Sequence, residues 1–262
     1  MIVCNTKYQE SVINEVTDFG CGDIIMKILI CGKGGCGKST ITAMLGKYLA
    51  SKGYRVLIVD VDESNPGLYR MLGLSKTKTL AEYLGGKKQV KAILNNPELP
   101  ETFEEIPEEI LSKKENLSVM SIGKIEEPGE GCACPYGALA KKFLKTLQPK
   151  KGEIVLVDTE AGIEHFGRGI DLEVDVIVNV AEPNLESIEL SRKIEKLTEK
   201  AGLKHVFVLN KALPEVLEKV NVEPDVIIPF NQKFIYDSLD GNEVEVLPQI
   251  EELWRVMNAK AS

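Results

Sequence analysis

The sequence lacks long apolar runs and has no excess of positive charge. No apolar run approaches the about 20 residues that a membrane-spanning helix needs, and polar residues interrupt the first 25 positions, where a signal peptide would need an apolar core. With 32 Lys and Arg against 40 Asp and Glu, the formal net charge of −8 disfavours nonspecific binding to nucleic acid or to anionic membranes. These absences predict a cytoplasmic protein that binds neither nucleic acid nor membrane.

Internal repeats, low-complexity stretches and a dividing linker are also absent. The 262 residues, 44% of them hydrophobic, suit one large domain. A second methionine, Met26, directly precedes the first apolar run, so we interpret residues 1–25 as an N-terminal extension that is either disordered or the product of a mis-assigned start. Residues 26–262 are predicted to form the single domain.

Short runs rich in Val, Ile and Leu alternate with helical patterns along the chain. The candidate strands are residues 27–31, 55–60, 117–122, 153–158, 174–180, 205–209 and 226–228. Runs that are apolar on both faces indicate strands covered on both sides. The predicted fold class is therefore α/β, a mostly parallel doubly wound sheet flanked by helices. Residues 74–115, which are polar and irregular, are predicted to be helical insertions over one edge of the sheet.

A glycine-rich segment lies between the first candidate strand and a helical pattern. Glycines allow backbone N–H groups to turn inward around an anion, Lys38 would reach the β and γ phosphates, and Ser39 would offer its hydroxyl to Mg²⁺. The segment therefore predicts a phosphate-binding loop for a nucleoside triphosphate. Its residues are Gly32, Lys33, Gly34, Gly35, Cys36, Gly37, Lys38, Ser39 and Thr40.

Two acidic segments follow other candidate strands. Asp60-Val-Asp62 ends the second apolar run, and Asp158-Thr-Glu-Ala-Gly162 ends another in the manner of a Walker B aspartate followed by a glycine loop. Open α/β sheets bind their ligands at the carboxyl ends of the strands. Because Mg²⁺ prefers oxygen ligands and keeps several waters, Ser39 and these carboxylates form a sufficient set.

Two cysteines stand two positions apart in residues 129–135, Gly-Glu-Gly-Cys-Ala-Cys-Pro. In an extended stretch Cys132 and Cys134 would point the same way, but they supply only half of a four-sulfur shell. A twofold axis would supply the other half and create a site for Ni²⁺, Zn²⁺ or an iron-sulfur cluster. Buried or incidental cysteines are the alternative, although the flanking glycines and Pro135 favour an exposed loop.

From Met26 onward the chain resembles the deviant Walker A P-loop ATPases, the group that contains MinD, ParA and nitrogenase iron protein. The resemblance rests on the loop with Lys33, on the Asp60 and Asp62 pair, and on residues 158–162. It implies hydrolysis of Mg²⁺-bound ATP to ADP in a homodimer, with Lys33 reaching the partner's phosphates and Asp62 orienting or deprotonating the attacking water. It also implies adenine contacts from the segments that contain Asn210, Lys211, Pro229 and Phe230.

Three further segments resemble the CooC-type nickel-insertion ATPases. They are residues 60–65 (DVDESN), 124–135 (KIEEPGEGCACP) and 160–169 (EAGIEHFGRG). The resemblance implies a metallochaperone that holds nickel at Cys132 and Cys134 of two subunits and inserts it into carbon monoxide dehydrogenase or acetyl-CoA synthase. Zn²⁺ could occupy the same sulfur site.

Other functions remain open on the sequence alone. Four thiolates across a dimer would also suit an iron-sulfur scaffold or carrier ATPase, and a positioning ATPase of the MinD or ParA kind is a further alternative. A reductase like nitrogenase iron protein is disfavoured, because residues 158–169 contain no cysteine. A basic amphipathic membrane helix is not evident at the acidic C-terminal end either.

Overall fold

An eight-stranded sheet forms the centre of the fold in the computed structural model. The structure describes residues 24–63, 67–94, 98–124, 134–160, 163, 166, 169–170, 173–219 and 221–261. The strands are β1 (Met26–Gly32), β2 (Arg55–Asp60), β3 (Ser112–Lys114), β4 (Leu117–Ser121), β5 (Glu153–Asp158), β6 (Val176–Ala181), β7 (Lys204–Ala212) and β8 (Val226–Pro229).

Helices connect most of these strands. They are α1 (Lys38–Ser51), α2 (Gly67–Met71), α3 (Leu80–Tyr83), α4 (Lys87–Ile93), α5 (Cys134–Thr146), α6 (Leu185–Ala201), α7 (Pro214–Leu217), α8 (Lys233–Asp240) and α9 (Gln249–Ala261). Two 3₁₀ turns, Phe103–Glu105 and Glu108–Ile110, precede β3. No helix among the described residues is long and apolar enough to cross a membrane.

The strand order is β3-β4-β2-β5-β1-β6-β7-β8, and every neighbouring pair is parallel except β3 with β4. Helical crossovers join the parallel strands, as such pairs require. All seven parallel strands therefore end at one edge of the sheet, which is where an open α/β sheet binds its ligands.

Two hydrophobic cores cover the two faces of the sheet. Successive residues of β1 alternate between them: Ile28 and Ile30 join one core, and Leu29 and Cys31 join the other. The first core also contains residues of α1, α2 and α9, and the second contains residues of α3, α4, α5 and α6. A sheet with apolar cores on both faces confirms the predicted doubly wound architecture.

The helix α6 has a capping residue at each of its two ends. The Asn184 side chain accepts a hydrogen bond from the Ser187 N–H at 2.9 Å, and Gly202 ends the helix with a φ of 68°. The last helix, α9, packs Ile250, Leu253 and Met257 fully into the first core.

Two predictions of local structure were wrong. The segment 74–115 contains α3 and α4 but also β3, an antiparallel edge strand whose sequence, Ser-Lys-Lys, carries no apolar pattern. Cys134 and Pro135, expected in a loop, are the first residues of α5. Proline suits a first helical turn because the N–H that it lacks would have no partner there. Residues 129–133 lie outside the described residues.

Candidate functional site

The glycine-rich loop joins β1 directly to α1. Gly32 ends β1 with a φ of 143°, and Gly37 precedes α1 with a φ of 98°. A Cβ at Gly32 would stand 2.1 Å from the Val180 carbonyl oxygen, and one at Gly37 would stand 2.3 Å from Asn210 Nδ2. The loop therefore packs against the ends of β6 and β7 in a shape that only glycine permits at these two positions.

The two lysines of the loop occupy different positions. Lys38 is buried, and its Nζ donates to the Lys33 carbonyl at 3.2 Å. The Lys33 side chain is 39% exposed, with its Nζ 3.9 Å from a carboxylate oxygen of Glu186. Lys38 thus lies inside the loop, as a phosphate ligand must, while the Lys33 ammonium group stays at the outer surface of its own subunit.

Two carboxylates and two hydroxyls meet beside this loop. Asp60 and Asp158 stand opposite each other in the paired strands β2 and β5, and both are almost fully buried. Asp158 is hydrogen-bonded by the side chains of Ser39 and Thr42, the Thr42 hydroxyl lying 3.1 Å away. This set of oxygen donors next to a phosphate loop fits Mg²⁺, which would neutralise the paired negative charges. Ser39 and the two aspartates would hold it.

Burial changes the protonation of both carboxyl groups. Burial, with the neighbouring Asp60 as the second cause, raises the pKa of Asp158 to about 7. Burial also raises the pKa of Asp60, against the opposing effect of Lys124. Without a bound cation, simultaneous ionisation of Asp60 and Asp158 is therefore unfavourable.

The raised pKa of Asp158 predicts a dependence of stability on pH. A folded-state pKa of about 7 against an ordinary value of 3.8 means that the unfolded chain releases this proton first, so stability falls as the pH rises through this interval. In Mg²⁺-free, nucleotide-free buffer at pH 8, Asp158→Asn should be more stable than the unmodified protein by about 1–3 kcal/mol. The gain should vanish near pH 4. Urea unfolding at both pH values measures it, and an equal difference at both would contradict the assignment.

Asp62 is held by its backbone close to this carboxylate pair. Its N–H donates to Asp60 Oδ1 at 3.1 Å, and its carbonyl accepts from the Nζ of Lys124. The same Nζ lies 2.7 Å from Asp60 Oδ2 in a buried ion pair. Sequence reasoning missed Lys124, because a single lysine in a polar segment matches no motif; its position three residues after β4 was the available signal.

A pocket of about 370 Å³ opens next to the loop. Gly37 and Thr40 line one side of it, and Asn210, Pro229 and Phe230 line another. A cavity of this size is ordinary for a small organic ligand, and its place at the first turn of α1 fits the nucleoside of a nucleotide whose phosphates occupy the loop. Sequence reasoning missed its remaining walls, which α2 and α8 supply.

Two neighbouring residues of β7 fasten the loop from outside. Asn210 Nδ2 donates to the Cys36 carbonyl at 2.8 Å. The Nζ of Lys211 donates to the Gly35 carbonyl and lies 3.2 Å from Glu182. Lys211 has a φ of 56°, a left-handed conformation that costs a non-glycine residue about 1–2 kcal/mol. These contacts show Asn210 and Lys211 supporting the loop backbone, in addition to their place beside the pocket.

Most predicted site residues therefore meet at one edge of the sheet. Gly162 and Cys132 lie outside the described residues. Those brought together are Gly32, Lys33, Gly34, Gly35, Cys36, Gly37, Lys38, Ser39, Thr40, Asp60, Asp62, Asp158, Asn210, Lys211, Pro229 and Phe230.

Cys134 is exposed at the first residue of α5, the helix that follows the segment after β4. Its sulfur is in a disulfide bond, so metal binding would require reduction to the thiolate. The described residues contain no group of three or more His, Cys, Asp or Glu side chains able to hold a metal ion.

Comparisons with known proteins agree with this geometry. The family model of the CobQ/CobB/MinD/ParA nucleotide binding domain matches residues 27–223. An uncharacterized ATP-binding protein of Methanocaldococcus jannaschii is 45% identical over 247 residues, covering 88% of this chain and 99% of that protein. The carbon monoxide dehydrogenase accessory protein CooC of Rhodospirillum rubrum is 36% identical over 199 residues, covering 71% of this chain and 74% of that protein.

A solved structure shows the same fold. The septum site-determining protein MinD of Pyrococcus horikoshii, complexed with Mg-ADP, matches with a TM-score of 0.63 at 22% identity, over 90% of this chain and 99% of that one. The predicted P-loop fold is confirmed. The chain belongs to the CobQ/CobB/MinD/ParA family of nucleotide-binding domains and is an ATPase.

Proposed function

We propose that this ATPase is a metallochaperone that carries nickel to an enzyme that needs it. Two subunits would share Ni²⁺ between their Cys132 and Cys134 thiolates, and ATP binding and hydrolysis would drive its release into carbon monoxide dehydrogenase or acetyl-CoA synthase. The similarity to CooC supports this client class. Nickel is here the cargo, and ATP with Mg²⁺ drives its delivery.

The position of Cys134 is the observation that carries the proposal. β4 and β2 are parallel neighbours, so the segment after β4 leaves the sheet at the edge where Asp60 and Asp62 stand, and it returns as α5, beginning with Cys134. A Cβ at Gly123 would stand 2.7 Å from the ring of Tyr136, so the two ends of this segment are in contact. Cys134 therefore begins α5 close to where the chain leaves β4, next to the strand that carries the carboxylates expected to respond to nucleotide.

A positioning function like that of MinD is less well supported. α9 buries its apolar residues in the first core, so that face is not available to insert into a membrane surface. A DNA-partitioning function would need a basic surface, whereas the formal net charge of the chain is −8.

Nickel titration of the reduced protein under anaerobic conditions tests the proposal. About one Ni²⁺ per dimer is expected with the unmodified protein, and Cys132→Ser and Cys134→Ser should each abolish tight binding, because four sulfur ligands become two. Affinity for ADP should stay within about twofold, because neither sulfur belongs to the phosphate loop. Cys31→Ala is the matched control, since Cys31 is a buried cysteine in β1, and it should keep nickel binding.

The remaining outcomes separate the alternatives. Equal nickel affinity in the unmodified protein and in Cys132→Ser would refute the sulfur site. Iron with matching labile sulfide in the purified protein would identify an iron-sulfur carrier instead. If nickel binds as expected, mixing the loaded protein with nickel-free carbon monoxide dehydrogenase should restore CO oxidation only in the presence of hydrolysable ATP.

A further inference from the structure

The residue in question is Lys124, which lies at the start of the segment that leads toward the two cysteines. Its side chain is 5% exposed, and that of its partner Asp60 is 1% exposed. A lysine is seldom buried unless it is paired, because the cost of removing an ammonium group from water is several kcal/mol. The position of this buried lysine beside a nucleotide site indicates a role in addition to balancing the charge of Asp60.

The hydrogen bonds of the Asp62 backbone indicate what that role is. The Asp62 N–H donates to one oxygen of Asp60 at 3.1 Å, and the Asp62 carbonyl accepts from Lys124, whose Nζ lies 2.7 Å from the other oxygen of Asp60. Both backbone polar groups of Asp62 are thus held by the two members of one buried ion pair. Asp60 in turn is fixed to the sheet as the last residue of β2.

We propose that Lys124 is a positioning residue for ATP hydrolysis, which fixes the backbone of Asp62 so that the Asp62 carboxylate faces the attacking water. The inference rests on the orientation of the attacking water by Asp62, the role that the family resemblance implies, and it deepens that role. A carboxylate that orients water must be held to within about 0.5 Å of its working geometry by its supporting contacts. Lys124 holds it from the segment that follows the neighbouring strand β4, independently of the phosphate loop and of Lys33.

The alternative is that Lys124 only balances the charge of Asp60. Ser121 offers a matched comparison, because its hydroxyl donates to the same Asp60 Oδ2 at 3.1 Å, whereas the donor to the Asp62 carbonyl is Lys124. Ser121→Ala therefore removes one support of Asp60 while leaving the Lys124 contact with the Asp62 carbonyl in place.

Steady-state ATP hydrolysis and binding of a fluorescent ADP analogue distinguish a positioning role of Lys124 from simple balancing of the Asp60 charge. For Lys124→Met we expect kcat to fall about 100-fold, the effect of a misplacement of about 1 Å, while KM for ATP and ADP affinity stay within about threefold. Lys124→Arg, which keeps the charge and the donors, should recover at least about tenfold of the loss. Ser121→Ala should keep kcat within about threefold.

A surface control tests for a general effect of replacing lysine by methionine. Lys150→Met breaks an exposed ion pair with Glu104. Lys150 precedes β5 and so lies at the amino ends of the parallel strands, away from the nucleotide site. This variant should leave kcat unchanged. If Lys124→Met does not fold, Lys124→Gln is judged by the same criteria.

Three results would overturn the proposal. The first is a kcat of Lys124→Met within threefold of that of the unmodified protein. The second is a parallel loss of ADP affinity and kcat in Lys124→Met. The third is a fall in kcat for Ser121→Ala as large as that for Lys124→Met. None of these measurements involves nickel, so failure of the metallochaperone proposal and failure of this one are separately visible.

Discussion

Replacing Lys33 by alanine should lower ATP turnover by about 1,000-fold while nucleotide affinity changes little. A cation supplied in trans to a phosphoryl group in transfer is worth about 10³–10⁵ in kcat. Within one subunit the Lys33 ammonium group lies near Glu186 on α6 and not inside its own loop, so the cation is available to a partner. The loss should therefore fall on kcat and leave ADP binding nearly intact.

The dependence on protein concentration sharpens this test. Turnover per subunit should rise with concentration for the unmodified protein, because a Lys33 that acts in trans requires the dimer, and it should stay low and flat for Lys33→Ala. Glu186→Gln is the control: the Lys33 to Glu186 contact is 3.9 Å long and exposed, and such pairs are worth about 0–1 kcal/mol. Undiminished turnover in Lys33→Ala would exclude the role in trans.

The second large effect concerns the glycine that ends β1. Gly32→Ala would place a Cβ 2.1 Å from the Val180 carbonyl oxygen, in a backbone with a φ of 143°. The conformation alone costs about 1–3 kcal/mol, and the overlap with a backbone atom forces β1 and β6 apart. We expect a loss of at least about 3 kcal/mol in the free energy of unfolding, which corresponds to about 10 °C in Tm.

Gly35 provides the matched comparison within the same loop. Its φ is 80°, but an added Cβ would meet nothing within 4 Å, so Gly35→Ala should cost only about 1–2 kcal/mol from strain. Thermal unfolding of both variants without nucleotide measures the difference. Equal Tm values for the two variants would show that the contact with Val180 relaxes at little cost.

The sequence was sufficient for the parts of the fold that carry strong local patterns. The apolar runs that became β1, β2 and β5 are buried along nearly their whole length, and α6 has its capping residues at both ends. β3 was missed because an edge strand with exposed lysines has no apolar pattern. The start of α5 was misjudged because glycine and proline next to the cysteines resemble loop residues.

Residues of the candidate site could be predicted only where they belong to a recognisable sequence motif. The phosphate loop and the Asp60 pair have fixed spacings, and the chain places them together at the carboxyl ends of parallel strands. The Lys124 to Asp60 pair joins residues 64 positions apart, and the α8 wall of the pocket comes from a segment without any motif. Such contacts depend on strand order, which local sequence does not encode.

The order of the strands also separates the nucleotide-binding residues from the cysteines that follow β4. The phosphate loop follows β1 and the paired aspartates end β2 and β5, whereas the chain leaves β4 toward the cysteines at Gly123, which lies against Tyr136 of α5. This contact fixes where the chain leaves β4 and where it enters α5, so changes between these two points need not move the residues that bind nucleotide. In evolutionary terms, the same ATPase fold could therefore tolerate exchange of the sequence between these two points.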